Sequence, residues 1–292
     1  MSAVTTDWTV RRILEWTTAH LKQHGSETPR LEAEILLAHA RGCPRIRLYT
    51  EYDVVLTEDV RARMRELVKR RAAHEPVAYL VGQREFFSLN FEVNSSVLIP
   101  RPDTETLALS ALEWLKERPN SRVLDCGTGS GCVAVTLAVR NPTVKVTAVD
   151  ISPDALAVAK RNAARHQVSE RIEFVQADLF PAQITEKFNL IVSNPPYIGT
   201  AEIETLAPEV RDHEPRLALD GGTDGLGVMR RLVDLAPSHL EPHGRILLEI
   251  SPEQADAVEA LLTSDSRWQN VRRIPDLTRR VRVVEAEYLG PA

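Results

Sequence analysis

Hydrophobic positions follow two different periods along this chain, and the change falls near residue 104. Before it, apolar residues recur three and four apart. Val10, Ile13, Leu14, Thr17 and Leu21 share one face of a helix that Gly25 ends. Leu31, Glu34, Ile35 and Ala38 continue the pattern to the break at Gly42-Cys43-Pro44. Thr57 is read as an N-cap, with Glu58 and Asp59 in a first turn where the helix dipole favours acids. Val60, Met64, Leu67 and Val68 line the helix it opens. Residues 1–75 therefore read as a small helical bundle. Residues 76–103 change character, with Phe86, Phe87, Leu89, Phe91, Val93, Val97 and Ile99 spread through a β-like stretch. Asn94-Ser95-Ser96 is expected to turn a hairpin there, and Pro100-Arg101-Pro102 closes this connector.

From 104 to 292, strands and helices alternate. Helices are expected over 104–116 and 131–139, and a third opens at Ser152-Pro153-Asp154, where a cap is followed by a proline at the first helical position. Strands are expected over 122–126, 144–150, 171–176, 188–194 and 245–250, with two more over 268–274 and 281–288. Such a βαβ series gives an α/β fold with a mostly parallel sheet. The last two strands have no helix between them, so they form a hairpin and one of them runs antiparallel.

Candidate chemistry sits at strand ends. Asp125-Cys126-Gly127-Thr128-Gly129-Ser130-Gly131 joins the first of these strands to its helix, and glycines there let backbone turn tightly and approach a ligand. Asp150 ends the next strand, where an acid grips ribose hydroxyls. A nicotinamide-binding unit competes up to this point. Cys132 occupies the place of the third glycine of GxGxxG, and the carboxylate of Asp125 would oppose a pyrophosphate but welcome a cation. S-adenosylmethionine, a sulfonium without phosphate, is therefore favoured. Asp178, after the third strand, either bonds the adenine amino group or is a loop cap or surface acid; Leu179 is placed against the adenine face.

Asn194-Pro195-Pro196-Tyr197 ends the fourth strand on the same sheet edge. Two prolines lock the backbone, and Asn194, preceding one, is held extended. The Asn194 amide and the Pro195 carbonyl become fixed acceptors for the two N–H bonds of a planar NH2 group, with Tyr197 stacked on its face. This pattern predicts methylation of either a carboxamide or an exocyclic base amine, driven by positioning rather than by a general base.

Composition narrows the setting. The net charge is −5, with 36 Lys and Arg against 41 Asp and Glu, which argues against a surface that coats nucleic acid. No apolar run approaches the roughly 18 to 20 residues that span a bilayer. The stretch Met1 to Trp16 has no export-signal core, so a cytoplasmic protein is expected. Three cysteines without CxxC spacing point to neither a disulfide framework nor a zinc site, and the eight histidines show no HExxH. His20 and His24, four apart, read as a solvated helix face, and no metal is expected. The cluster Arg61, Arg63, Arg65, Lys69, Arg70 and Arg71 reads as a solvated face or a partner contact.

Longer motifs carry a resemblance over nearly the whole chain. Pro76-Val77-Ala78-Tyr79-Leu80-Val81-Gly82, Val97-Leu98-Ile99-Pro100-Arg101-Pro102-Asp103-Thr104-Glu105, the glycine turn, Asn194 to Ile198, Glu209 to Pro215 and Ala218 to Leu226 together resemble the HemK/PrmC family of protein glutamine N5-methyltransferases. That resemblance implies a Rossmann-like, seven-stranded, class I methyltransferase domain over 104–292. It also implies a release-factor-docking helical domain over 1–75 and a β-hairpin connector over 76–103. The implied substrate is the glutamine of the Gly-Gly-Gln loop of class I peptide chain release factors, with S-adenosyl-L-homocysteine as product. By the same resemblance, Gly127, Thr128, Gly129, Ser130, Gly131, Asp150 and Asn194 bind the cofactor, and Asn194 to Tyr197 hold the glutamine amide. Arg101 and Glu105 either shape the substrate mouth or pair on the surface. A monomer without direct nucleic-acid binding is expected. Ser251, where the family has glycine, and Asp276-Leu277-Thr278-Arg279, where it has Asp-Leu-x-Gly, depart from the pattern.

Overall fold

The computed structural model describes residues 7–181 and 184–291; the expectations for 1–6 and 292 lie outside them. The chain forms two compact units, one of residues 7–82 with 208–213, the other of 83–207 with 214–291.

The first unit contains α1 (Val10–Gln23), α2 (Pro29–Arg41), α3 (Ile46–Thr50), α4 (Glu58–Ala72) and α5 (Val77–Val81). All five residues of the expected α1 face are buried. The α2 face is rotated from expectation. Leu31 is exposed and Ile35 half-buried, while Ala33, Leu36, Leu37 and Ala40 fill the core. Glu34 and Ala38 are buried as expected, but Glu32 is buried too: Arg71 holds Glu32 at 2.9 Å and Arg30 holds Glu34 at 2.7 Å. Thr57 occupies the N-cap of α4 without a capping bond from its side chain. In the basic cluster, Arg61 and Arg65 pair with Glu58, and Arg70 pairs with Glu75.

The expected division at residue 75 lies instead at Gly82. Residues 77–81 are helical and pack on α2 and α4, burying Leu80 in the first unit's core. The expected connector is thereby divided, because its hairpin belongs to the second unit.

That hairpin is β1 (Gln83–Phe86) with β2 (Leu89–Glu92). Its turn is Phe87-Ser88, and Asn94-Ser95-Ser96 follows the second strand. Both turn residues have positive φ, 52° and 59°, as a two-residue hairpin turn of this twist requires. Neither is a residue that favours that region, so composition did not mark the turn. The Glu105 carboxylate accepts the Phe87 N–H at 2.8 Å, and Arg140 donates to the Phe87 carbonyl at 2.8 Å.

The rest of the second unit runs α6 (Glu105–Leu115), β3 (Arg122–Cys126), α7 (Cys132–Arg140), β4 (Lys145–Asp150), α8 (Pro153–Arg165), β5 (Ile172–Gln176) and β6 (Phe188–Ser193). After α9 (Pro208–Arg211), which belongs with the first unit, come α10 (Gly227–Leu235), β7 (Leu240–Glu249), α11 (Ala255–Thr263), β8 (Trp268–Pro275) and β9 (Val281–Tyr288). Seven strands form one sheet in the order β5-β4-β3-β6-β7-β9-β8. Six run in the same direction, and β9 runs antiparallel to both of its neighbours.

Side chains alternate between two cores. Val123, Leu190, Val192 and Leu247 join Leu107, Val133 and Ala163 on one face. Leu124, Ile191, Ile246 and Leu248 join Met229, Leu232 and Val258 on the other. Burial on both faces explains why these strands are continuous apolar runs. No helix among the described residues is long and apolar enough to cross a membrane.

Candidate active site

The strand order reverses between β3 and β6, on either side of which the chain winds in opposite directions. Ligand crevices form at the carboxyl ends of the strands at such a point. A cavity of about 290 Å³ lies there, lined by residues that the sequence places far apart, and four of its segments carry the expected site residues.

The first segment is the turn after β3. Gly127, Gly129 and Gly131 have φ of 73°, 55° and 77°. A Cβ at Gly127 or Gly129 would project into open space, and one at Gly131 would meet Ala159 Cβ at 3.0 Å. The first two glycines therefore leave backbone open to a ligand, and the third lets the turn pack on α8. Gly127, Thr128, Gly129 and Ser130 line the cavity. Asp125, also lining it, takes the Thr128 hydroxyl at 2.7 Å and the Ala134 N–H at 3.2 Å. Burial pushes its pKa up to about 6 against those two bonds.

The second segment is Asp150 to Ser152. Asp150 accepts Gly129 N–H at 2.8 Å on one oxygen and Ser152 N–H at 2.9 Å on the other. Its carboxyl is nonetheless raised by burial. The third segment, Ala177 to Leu179, brings Asp178 to the rim, where it is tied to Arg231 at 2.8 Å with both side chains about half exposed. Leu179 lies in the left-handed region, φ 67°, and its carbonyl accepts from Cys126 Sγ at 3.3 Å. Open glycine backbone, a ribose-directed acid and an apolar ledge suit an adenosyl cofactor. The unpaired buried carboxylates suit a cationic one.

The fourth segment is Asn194 with Pro196. Asn194 follows Ser193, which pairs with Leu248 of β7, so Asn194 and Glu249 reach the same sheet edge. Asn194 Nδ2 donates to Thr104 Oγ1 at 3.1 Å. With that end of the amide engaged, Oδ1 is the end available as an acceptor. Pro195 is buried and Tyr197 half-buried, and neither lines the cavity. Burial first, and then the nearby Glu249, pushes the Tyr197 phenol up to about 12.

The segment 220–227 braces these carbonyls. Gln254 Nε2 donates to the Tyr197 carbonyl at 2.9 Å and to that of Gly225 at 3.3 Å. A Cβ at Gly225 would collide with the Tyr197 oxygen, and one at Gly221 would lie 2.7 Å from that of Pro196. Close approach requires these two glycines, with positive φ an added demand at Gly225. Ser251, the departure from the family pattern, caps the turn that carries Gln254.

Arg101 lines the cavity and pairs with Glu214, a buried carboxylate that also accepts Ile99 N–H at 3.1 Å. Glu105 is a correction. It neither lines the cavity nor pairs with Arg101, because its carboxylate is committed to the hairpin turn. Sequence reasoning missed Thr104, Glu214, Arg231 and Glu249. Thr104 and Glu214 lay inside motifs that carry the resemblance without a role assigned to them, and Glu249 carried a signal of its own, as an acid at the carboxyl end of a parallel strand, the rule that found Asp150. No group of three or more His, Cys, Asp or Glu among the described residues is placed to hold a metal.

Comparison with known proteins identifies the family. Residues 12–82 match the PrmC N-terminal domain family, and 101–211 match the methyltransferase small domain family. A release factor glutamine methyltransferase of Rhodopirellula baltica is 45% identical over 97% of both chains. One of Geobacter sulfurreducens is 47% identical over 86% of this chain and 87% of its own. A methyltransferase crystal structure from Pyrococcus furiosus overlays with a TM-score of 0.51 at 18% identity, covering 79% of this chain and 100% of that one, a likeness of fold. With relatives this similar along nearly its full length, the chain belongs to the release factor glutamine methyltransferase family.

Proposed function

We propose that this protein transfers a methyl group from S-adenosylmethionine to the side-chain nitrogen of the glutamine in the Gly-Gly-Gln loop of class I peptide chain release factors. The observation that carries the reading is the Asn194 amide. It is pinned through Nδ2 by Thr104, with Oδ1 left as an acceptor beside a cavity lined by the Gly127–Ser130 turn and Asp150.

The cofactor supplies a methyl group already activated by its sulfonium, so the protein's task is placement. An amide nitrogen is a weak nucleophile because its lone pair is delocalised. Asn194 Oδ1 and the Pro195 carbonyl accept the two N–H bonds of the glutamine amide and aim the nitrogen into the cavity. They also stabilise positive charge as it develops on that nitrogen while the sulfur–methyl bond breaks, and the methylated amide then gives up one N–H proton to water. Asp150 takes the ribose hydroxyls, Leu179 packs on adenine, and Asp178 reaches the adenine amino group by sharing its bond to Arg231. Tyr197 acts from behind, through its braced backbone, since its ring does not line the cavity. Arg101, held by Glu214, lines the same cavity and is offered to the substrate there. The helical unit is the module that docks the release factor.

Transfer of label from S-adenosylmethionine tests the proposal. Purified release factor, with its Gly-Gly-Gln glutamine intact or changed to alanine, is compared with total RNA and DNA. Label on the intact factor alone is expected. Label on nucleic acid would replace the reading with base-amine methylation.

A further inference from the structure

Glu249 ends β7 with 1% of its surface exposed, and its Oε2 has no hydrogen-bond partner among the described residues. It stands behind the candidate active site, one hydroxyl away from Asn194. Thr104, also 1% exposed, accepts from Asn194 Nδ2 at 3.1 Å, and its hydroxyl is the neighbour that favours the charged form of the Glu249 carboxyl. None of the chemistry proposed above uses Glu249. We propose that Glu249, acting through Thr104, is a positioning residue that decides which end of the Asn194 amide faces the substrate. This inference rests on the reading of Asn194 as the acceptor for the substrate amide.

The argument follows hydrogens. An asparagine amide has nearly the same shape in both orientations, but reversing it exchanges an acceptor for two donors. A threonine hydroxyl has one hydrogen. It accepts from Asn194 in a settled way only when that hydrogen is committed elsewhere. An ionised Glu249 can only accept, so it takes the Thr104 hydrogen. Thr104 then accepts from Asn194 Nδ2, and Oδ1 faces the cavity. A protonated Glu249 can donate to Thr104 instead. The Thr104 hydrogen is then free to bond Asn194 Oδ1, and the reversed amide meets the substrate N–H groups with N–H groups of its own.

The surroundings leave this switch accessible. Burial is the first cause of a shift that pushes Glu249 up to about 8; Asp103 adds to it, while the Thr104 bond, Arg282 and Arg101 oppose it. Arg282 is shared with Asp103 at 2.9 Å and Asp276 at 3.0 Å, and Arg101 is taken by Glu214. Tyr197 and Cys132 also face Glu249, and both stay neutral, held up to about 12. Glu249 is the group of this set that changes charge in the range where the enzyme can be assayed.

The test is nitrogen NMR of the full chain labelled on asparagine, with the Asn194 side-chain amide assigned by its loss in Asn194→Ser. The expected result is one inflection near pH 8 in the wild type, absent in Glu249→Gln and in Thr104→Val. In turnover with release factor, Thr104→Val is expected to lower kcat by about tenfold to a hundredfold, below the loss typical for a group that touches the reacting centre. Its KM for S-adenosylmethionine stays near the wild-type value. Thr104→Ser restores most of the rate, and Glu249→Gln flattens the rise of kcat with pH. An Asn194 resonance indifferent to pH and to Thr104→Val overturns the inference, as does a Thr104→Val enzyme with wild-type kcat. Thr104→Ser and Glu249→Gln are near-isosteric, and the wild-type titration itself decides if a variant fails to fold. A titrating Asn194 in an enzyme that labels no release factor would keep the positioning role and remove only the proposed substrate.

Discussion

The two units both bury carboxylates, and they treat them in opposite ways. In the helical unit, Arg71 donates to both oxygens of Glu32 at 2.9 Å and reaches Glu209 at 2.7 Å. Burial works to raise Glu34, but the Tyr49 hydroxyl and Arg30 outweigh it and hold that acid below its ordinary value. In the α/β unit, the bonds to Asp125 and Asp150 come from a hydroxyl and from backbone N–H groups, and all three acids at the strand ends, Glu249 included, are pushed up by burial. The contrast does not follow unit membership alone, since Glu285, away from the cavity, is held by Arg272 at 2.7 Å and by Arg245. Buried acids that only hold the fold together meet arginine. Those left without a matched cation cluster where a ligand can meet their charge, as perturbed groups do at functional sites.

The comparison can be broken at its architectural end first. Arg71→Ala leaves Glu32 buried without its partner, and a loss of about 3–5 kcal/mol is expected in urea unfolding of the helical unit. A cost under 1 kcal/mol would mean that the pair is surplus to the fold. At the functional end, Asn194→Ala is expected to lower kcat by about 10²–10³-fold, equivalent to about 2.7–4 kcal/mol, while melting temperature barely moves. A variant that unfolds early, or that keeps full turnover, would put Asn194 on the architectural side.

Gly225→Ala falls between the two. Its methyl group would strike the Tyr197 carbonyl, and left-handed backbone adds about 1–2 kcal/mol for a non-glycine residue. Turnover is expected to fall together with stability, by calorimetry and kinetics on the same sample.

Glu249→Gln sharpens the contrast through pH. In the unfolded chain the acid loses its proton near 4.5, and in the fold near about 8. Between those values the unfolded state binds fewer protons, so this group lowers stability as pH rises. The Gln variant should lose less stability from pH 5 to 8 than the wild type does in denaturant titrations. The smallest effect belongs to the half-exposed pair Asp178–Arg231. Asp178→Ala is expected to change stability by under about 1 kcal/mol. Its affinity for S-adenosylmethionine should weaken by a few-fold, read by calorimetric titration.

Much of this was legible in the chain. The alternation of apolar runs and helical periods located every strand of the seven-stranded sheet, because strands covered on both faces carry uninterrupted hydrophobic residues. Gly127 to Ser130, Asp150, Asp178, Leu179 and Asn194 all line one cavity, because each ends a parallel strand or opens the turn beyond it. Expectations failed where a long-range polar contact overrode a local rule. Leu31 is exposed where its neighbour Glu32 is buried in an ion pair with Arg71. The hairpin turns at Phe87-Ser88 because Glu105 and Arg140 hold an unfavourable turn from outside it. Glu105 was thereby removed from the substrate site.

Local chemistry and periodicity determined the fold class and the strand ends, because backbone preference and one-sided burial act over a few residues. The tertiary structure decided what those strand ends face. Thr104 lies ninety positions before Asn194 and Glu249 lies well beyond it, yet the three side chains meet behind one strand end. Spacing along a chain holds no information about which hydroxyl will meet which amide. Strand order across the sheet sets that, and with it the direction in which the Asn194 amide points.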